Sequence, residues 1–185
     1  MDDRDCWQNI LAGDQQALEV LYKRYFSSLY LYGLKLARRE DLAEDTIHDL
    51  FLKVWNKHQN LNEVTRIKTY LFRAYRNLLI DRINLEIKLT GNARHSVEMA
   101  TGNIEDIIIE NEYNCHRLHR MNDRINLLPP RQREILYLRF YRGFSIKEIA
   151  DILEINNQSV RNSLFSSLTK LKKWLLVSLV VAGIW

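Results

Sequence analysis

Between Ala17 and Leu36, apolar residues return every three or four positions, at Leu18, Leu21, Tyr22, Tyr25, Leu29, Tyr32 and Leu36. A 3.6-residue period gathers such positions into one stripe, so the stretch reads as an amphipathic helix. Asp14 stands just before it as a candidate N-cap. The pattern recurs from Asp41 to His58, with Leu42, Ile47, Leu50, Phe51, Val54 and Trp55 on one side and Glu44, Asp45, Asp49 and Lys53 on the other. After a polar loop, Gln59 to Arg66, it returns from Lys68 to about Lys88, where Tyr70, Leu71, Phe72, Tyr75, Leu78, Leu79 and Ile83 alternate with Arg73, Arg76 and Arg82. Three helices of this length can bury a common core. With only two Pro and six Gly in 185 residues, the composition favours helices over a strand-rich fold with many turns. The expected class is all-α.

Periodicity is lost over 89–104, where Thr90, Gly91, Asn92, Ser96, Thr101, Gly102 and Asn103 cluster. The expectation is therefore two small helical domains, 1–88 and 105–173, joined by a flexible linker at 89–104. A helix resuming near Ile104 should end by Leu128, because Pro129 and Pro130 cannot continue its hydrogen-bond ladder and one of them can begin the next helix.

In the second domain Ser145-Ile146-Lys147-Glu148 is a capping box, in which hydroxyl and carboxylate each satisfy a free backbone N–H. Ile149, Ala150 and Leu153 continue the apolar face, Glu154 to Asn156 make a tight connection, and a further helix carries Val160, Leu164, Leu168 and Leu171. This is helix-turn-helix spacing. Near the start of the second helix stand Gln158, Ser159, Arg161 and Asn162, residue types that read base edges in a major groove, and Lys170, Lys172 and Lys173 can meet phosphates. Charge points the same way. Net charges of −2, +3, −2 and +5 fall on 1–58, 59–88, 89–126 and 127–173, so the overall +4 concentrates beside the two stretches with nucleic-acid-like side chains.

Cys6 and Cys115 show no framework spacing, and the acidic start lacks the regions of a signal peptide, which points to the cytoplasm. Cys115, His116 and His119 supply too few ligands for a structural zinc site, so no metal and no cofactor are expected. His48-Asp49 resembles the dyad of HD-type phosphohydrolases, but residues 1–88 contain only one further histidine, His58. No enzyme is expected.

The stretch LLPPRQREILYLRFYRGFSIKEIADILEINNQSVRNSLFSSLTKLK, 127–172, resembles the carboxy-terminal domain of the sigma factors of bacterial RNA polymerase. Many response regulators share this helix-turn-helix, but the front half lacks the alternating strands and clustered acids of a phosphoacceptor domain. Instead GDQQALEVLYKRY, AEDTIHDLFLKVW and KTYLFRAYRNLLIDR, in that order within 13–82, resemble the amino-terminal domain of the extracytoplasmic-function group.

The resemblance implies that the helix of Asp41 to Lys57 docks on core RNA polymerase through Asp45, Asp49, Phe51, Leu52 and Trp55. It implies that the loop Asn60 to Arg66 and the helix after it engage the minus-ten promoter element as the strands separate, using Asn60, Arg66, Lys68, Tyr70, Arg73, Arg76 and Asn77. The family often has Trp where Tyr70 stands and Arg where this chain has Asn84; Arg82 is expected to take over that phosphate contact. At the minus-thirty-five element the contacts fall to Gln158, Ser159, Arg161, Asn162 and Lys170, although Ser163 and Ser166 stand where basic residues are common. A cognate anti-sigma factor, often membrane-anchored in this group, is a further implied partner, with promoter DNA and the polymerase. The apolar tail, 174–185, is too short to span a bilayer and is expected to pack on the domain or on a partner in preference to dipping into a membrane surface behind Lys170, Lys172 and Lys173.

Overall fold

The computed structural model describes residues 1–60, 64–90 and 125–181, with side chains described as far as Trp174 in the last segment. Every regular element among them is helical, and the chain divides into two compact units, Met1–Ala100 and Thr101–Trp185. The linker expected at 89–104 lies outside the described residues from 91 onward, as does most of the helix expected from Ile104 and the cluster of Cys115, His116 and His119.

The first unit opens with a helix that periodicity did not disclose, α1 (Asp3–Leu11). Asp2 and Asp5 form a capping box at its start, with Asp5 N–H donating to Asp2 at 2.8 Å and Asp2 N–H to Asp5 at 3.2 Å. Its inner face is small but fully used, since Cys6, Trp7 and Ile10 are all buried. Gly13, at φ +89°, supplies the left-handed turn before α2 (Gln15–Ala37). Asp14 caps α2 by accepting from Gln16 N–H at 2.8 Å and Ala17 N–H at 3.3 Å.

Helix α3 (Glu40–Asn56) follows a left-handed residue, Arg38, and is trailed by a single 3-10 turn at His58–Asn60. Helix α4 (Ile67–Thr90) returns antiparallel along it: Arg39, at the start of α3, reaches Glu86 near the far end of α4 at 2.7 Å. Leu21, Leu29, Tyr32, Ile47, Leu50, Leu71, Phe72 and Tyr75 fill the space between α2, α3 and α4. Burying side chains of this size outweighs any intrinsic helix preference as the source of stability.

In the second unit α5 (Pro130–Leu136) begins with Pro130 at its first helical position and runs directly into a π-helical turn, Tyr137–Tyr141. That turn closes with Arg142 N–H donating to the Tyr137 carbonyl at 3.2 Å. Gly143, at φ +71°, then lets Phe144 fold back, its N–H donating to Leu138 O at 3.1 Å. The capping box starts α6 (Ile146–Leu153): Ser145 N–H donates to the Glu148 carboxylate at 2.8 Å and Glu148 N–H to the Ser145 hydroxyl at 3.3 Å. Glu154 adopts the left-handed conformation, Asn156 caps Ser159 N–H at 2.7 Å, and α7 (Asn157–Val181) follows.

One expectation for α7 needs correction. Leu168 does not face the core but is 47% exposed; the inward stripe is Val160, Leu164, Ser167 and Leu171. Ser167 can occupy this buried row because its hydroxyl donates to Ser163 O at 2.7 Å. Helix α7 continues into the apolar tail as far as Val181, and residues 182–185 lie outside the described residues. Trp174 packs half-buried against Leu128, Leu136 and Leu171. No helix among the described residues is long and apolar enough to cross a membrane.

Candidate functional site

Helix α3 divides the residues assigned to it between surface and core. Asp45, Asp49 and Leu52 sit at i, i+4 and i+7, hence on one face. Asp45 is exposed and Leu52 is 58% exposed. Asp49 is half-buried and accepts a hydrogen bond from Arg82 of α4. Phe51 turns inward, 4% exposed, with its ring edge-on to Tyr22 at 5.2 Å. It supports the surface from beneath. Trp55 is half-buried and stacks on His58 at 4.9 Å, and the His58 ring nitrogen lies 2.6 Å from Trp55 O. His48 lies flat against Tyr22, whose hydroxyl is pushed up in pKa by burial and then by Glu44.

On α4 the residues assigned to DNA differ in face and in exposure. Tyr70, Arg73 and Asn77 follow three-to-four spacing and share a face, with Arg66 exposed just before the helix and Arg73 exposed upon it. Lys68, Arg76 and Asn77 are half-buried. Tyr70 is fixed edge-on against Trp7 of α1 at 5.2 Å, and burial raises its hydroxyl pKa. Arg82 does not join this face: five residues beyond Asn77 is a rotation of about 140° around the helix, and its guanidinium is engaged by Asp49. Of the loop Asn60 to Arg66, residues 61–63 lie outside the described residues.

Between α3 and α4 runs a groove of ≈ 230 Å³ in which Tyr70 and Asn77 face Lys53 and Lys57, with Asp81 at one end. The sequence places Lys53 on the polar side of α3 and Lys57 at its end, but assigns neither a binding role. Their i, i+4 spacing was the available signal, but only the packing of α3 on α4 shows which side of the helix it serves.

In the second unit Gln158, Arg161 and Asn162 near the start of α7 and Lys170 further along it are exposed, and Ser159 is half-buried. Gln158 Nε2 donates to Asn162 Oδ1 at 2.9 Å, so the two amides form a pair one turn apart. Arg131, by contrast, is spent on structure, donating to Leu153 O at 2.6 Å at the end of α6. Phe165, 75% exposed, lies beside Leu168 on α7 and was not anticipated. Among the described residues no group of His, Cys, Asp and Glu side chains forms a metal site.

Comparison with known proteins agrees with this division. Residues 21–85 match the family described as Sigma-70 region 2, and residues 118–171 match Sigma-70, region 4. The ECF RNA polymerase sigma factor SigX of Bacillus subtilis is 21% identical over 166 residues, covering 86% of this chain and 84% of SigX. SigK of Mycobacterium tuberculosis is 24% identical over 182 residues, 95% of each chain. Among solved structures, CnrH in complex with the cytosolic domain of CnrY aligns at TM-score 0.63 and 19% identity, over 95% of this chain and 97% of CnrH. The sigma factor RpoE in complex with the anti-sigma factor NepR, from Bartonella quintana, aligns at 0.61 and 21%, over 88% and 96%. With both sigma-70 regions present in order and relatives aligned along nearly its whole length, the chain belongs to the extracytoplasmic-function group of bacterial sigma factors, which direct RNA polymerase to promoters.

Proposed function

We propose that residues 1–88 dock on core RNA polymerase through α3 and engage the minus-ten element through α4, while residues 105–173 read the minus-thirty-five element through α7. The observation that carries this reading is the pairing, within one unit, of an acidic-apolar face, Asp45, Asp49 and Leu52, with a basic-aromatic one, Arg66, Tyr70, Arg73 and Asn77. A protein partner rewards the first with apolar burial and charge complementarity. Unstacked bases and phosphates reward the second. Strand opening then draws on binding energy, since extruding a base costs a few kcal/mol that stacking and phosphate contacts must offset. Bond chemistry belongs to the polymerase and none is assigned to this chain.

At the minus-thirty-five element Arg161 is suited to guanine, the Gln158–Asn162 pair to adenine, and Ser159 and Lys170 to the backbone. The site of action is the cytoplasm, where the polymerase works. CnrH and the Bartonella RpoE are each in complex with a second protein, in the RpoE case an anti-sigma factor. By that likeness a cognate anti-sigma factor is the third partner of this chain.

The test is transcription in vitro with purified core polymerase on a genomic promoter library, with and without this protein. Promoter-specific transcripts appear only in its presence. Tight binding to duplex DNA by the protein alone, with no such transcripts, would sink the proposal.

A further inference from the structure

We infer that Arg82 is a positioning residue of the polymerase-docking face, acting through Asp49, and not a contact to minus-ten DNA. The inference rests on the reading of α3 as the docking helix. Two observations carry it. The Arg82 guanidinium donates to Asp49 Oδ2 across the α3–α4 seam, and Arg82 points about 140° away from the face of α4 that holds Tyr70, Arg73 and Asn77.

The pair is open to solvent, with 31% of the Arg82 side chain and 42% of that of Asp49 exposed. Pairs this exposed contribute little to stability, so holding the fold is a poor account of it. What it does achieve is orientation. Asp49 lies between Asp45 and Leu52 on the exposed face of α3, and a carboxylate already held in one rotamer loses less freedom when a cationic partner engages it. Arg39, the N-cap residue of α3, forms a second bridge to α4 through Glu86 at 2.7 Å, so ion pairs join the two helices at two places. Arg82 thus prepares Asp49 for the polymerase, while the face of α4 that holds Tyr70, Arg73 and Asn77 is left for DNA.

The experiment uses the full chain and core polymerase. Arg82→Gln should weaken binding to core roughly three- to tenfold, the range expected for coupled neighbours. Arg82→Lys, which keeps the charge, should stay within about twofold of wild type. At saturating core, the Arg82→Gln holoenzyme should bind a single-stranded oligonucleotide carrying a non-template minus-ten sequence as tightly as wild type does. In an Asp49→Asn background Arg82→Gln should have no further effect on core binding. A full loss in that background means that Arg82 does not act through Asp49 and overturns the inference, as does unchanged core affinity of the single variant or weakened oligonucleotide binding by its saturated holoenzyme. Helicity by circular dichroism should match wild type; if Arg82→Gln lowers it and Arg82→Lys does not restore core binding, the role is structural and the inference fails. Asp45→Arg with Leu52→Ala separates the two levels. If that pair leaves core affinity intact the docking reading itself is wrong; if it abolishes binding and Arg82→Gln does not weaken it, only the inference fails.

Discussion

The hydroxyl of Tyr75 occupies the place where a side chain at Gly33 would begin: a Cβ there would stand 1.9 Å from the oxygen, which itself donates to Ala43 O at 3.1 Å. Three helices meet at this point, with α2 supplying the gap, α4 the phenol and α3 the carbonyl. Gly33→Ala should therefore cost about 1–3 kcal/mol, the usual penalty for overpacking. In a Tyr75→Phe background the added cost should shrink, because the clashing oxygen is gone. Thermal melts of the four proteins check this, and strict additivity would show that the clash is relieved elsewhere.

Phe51 and Leu52 are neighbours with opposite fates, 4% and 58% exposed. Phe51→Ala should destabilise the first unit by about 3–5 kcal/mol through lost burial and a cavity. Leu52→Ala should change stability by less than about 0.5 kcal/mol yet weaken core polymerase binding. A urea titration beside a polymerase pull-down distinguishes the two, and equal destabilisation would contradict the division of α3 into outer and inner faces.

The capping box of α6 satisfies two backbone donors at once. Ser145→Ala should cost about 1 kcal/mol, confined to the second unit, with Ser145→Gly costing less. Hydrogen exchange should show faster opening of α6 while α2 to α4 keep wild-type protection. Uniform loss of protection would mean the units do not unfold separately.

Because Gln158 and Asn162 are hydrogen-bonded to each other, replacing either alters how the other is presented. Asn162→Ala should cost about 1–3 kcal/mol on the best promoter and relax preference at one minus-thirty-five position. Lys170→Ala should weaken all promoters alike and lower the salt slope of binding by about 0.9. Holoenzyme titrations at several salt concentrations, on promoters with single-base changes, read both quantities.

Asp41 titrates unusually low. Hydrogen bonds from Arg39, then from the Leu42 backbone, bring its carboxyl down to about 2. A group depressed in the folded state stabilises above its unfolded value and loses that contribution as pH falls through the folded one. A carboxyl resonance of Asp41 should thus titrate near pH 2 and return toward the ordinary range in Arg39→Gln. An unchanged midpoint in that variant would rule out Arg39 as the cause.

What the sequence discloses and what it conceals follow from where the information lies. Helices α2, α3 and α4 carry long stripes that only a helical period explains, and Ser145 with Glu148 marks the start of α6 through contacts three residues apart. Helix α1 escaped because nine residues with three inward apolar positions hardly differ from a polar leader. Leu168 was misplaced because two stripes on α7 fit the spacing equally well, and only a buried serine decides between them. Asp49 and Arg82 are 33 positions apart, and no periodicity within one helix reports a bond between two.

Helix α7 is a single rod of 25 residues, Asn157 to Val181, and at 1.5 Å per residue it is about 37 Å long. The end that carries Gln158 and Arg161 and the apolar far end are therefore one continuous helix, seated on the second unit over some four turns through Val160, Leu164, Leu171 and Trp174. A partner that held the last turns would thus hold the same rod that presents Gln158 and Arg161.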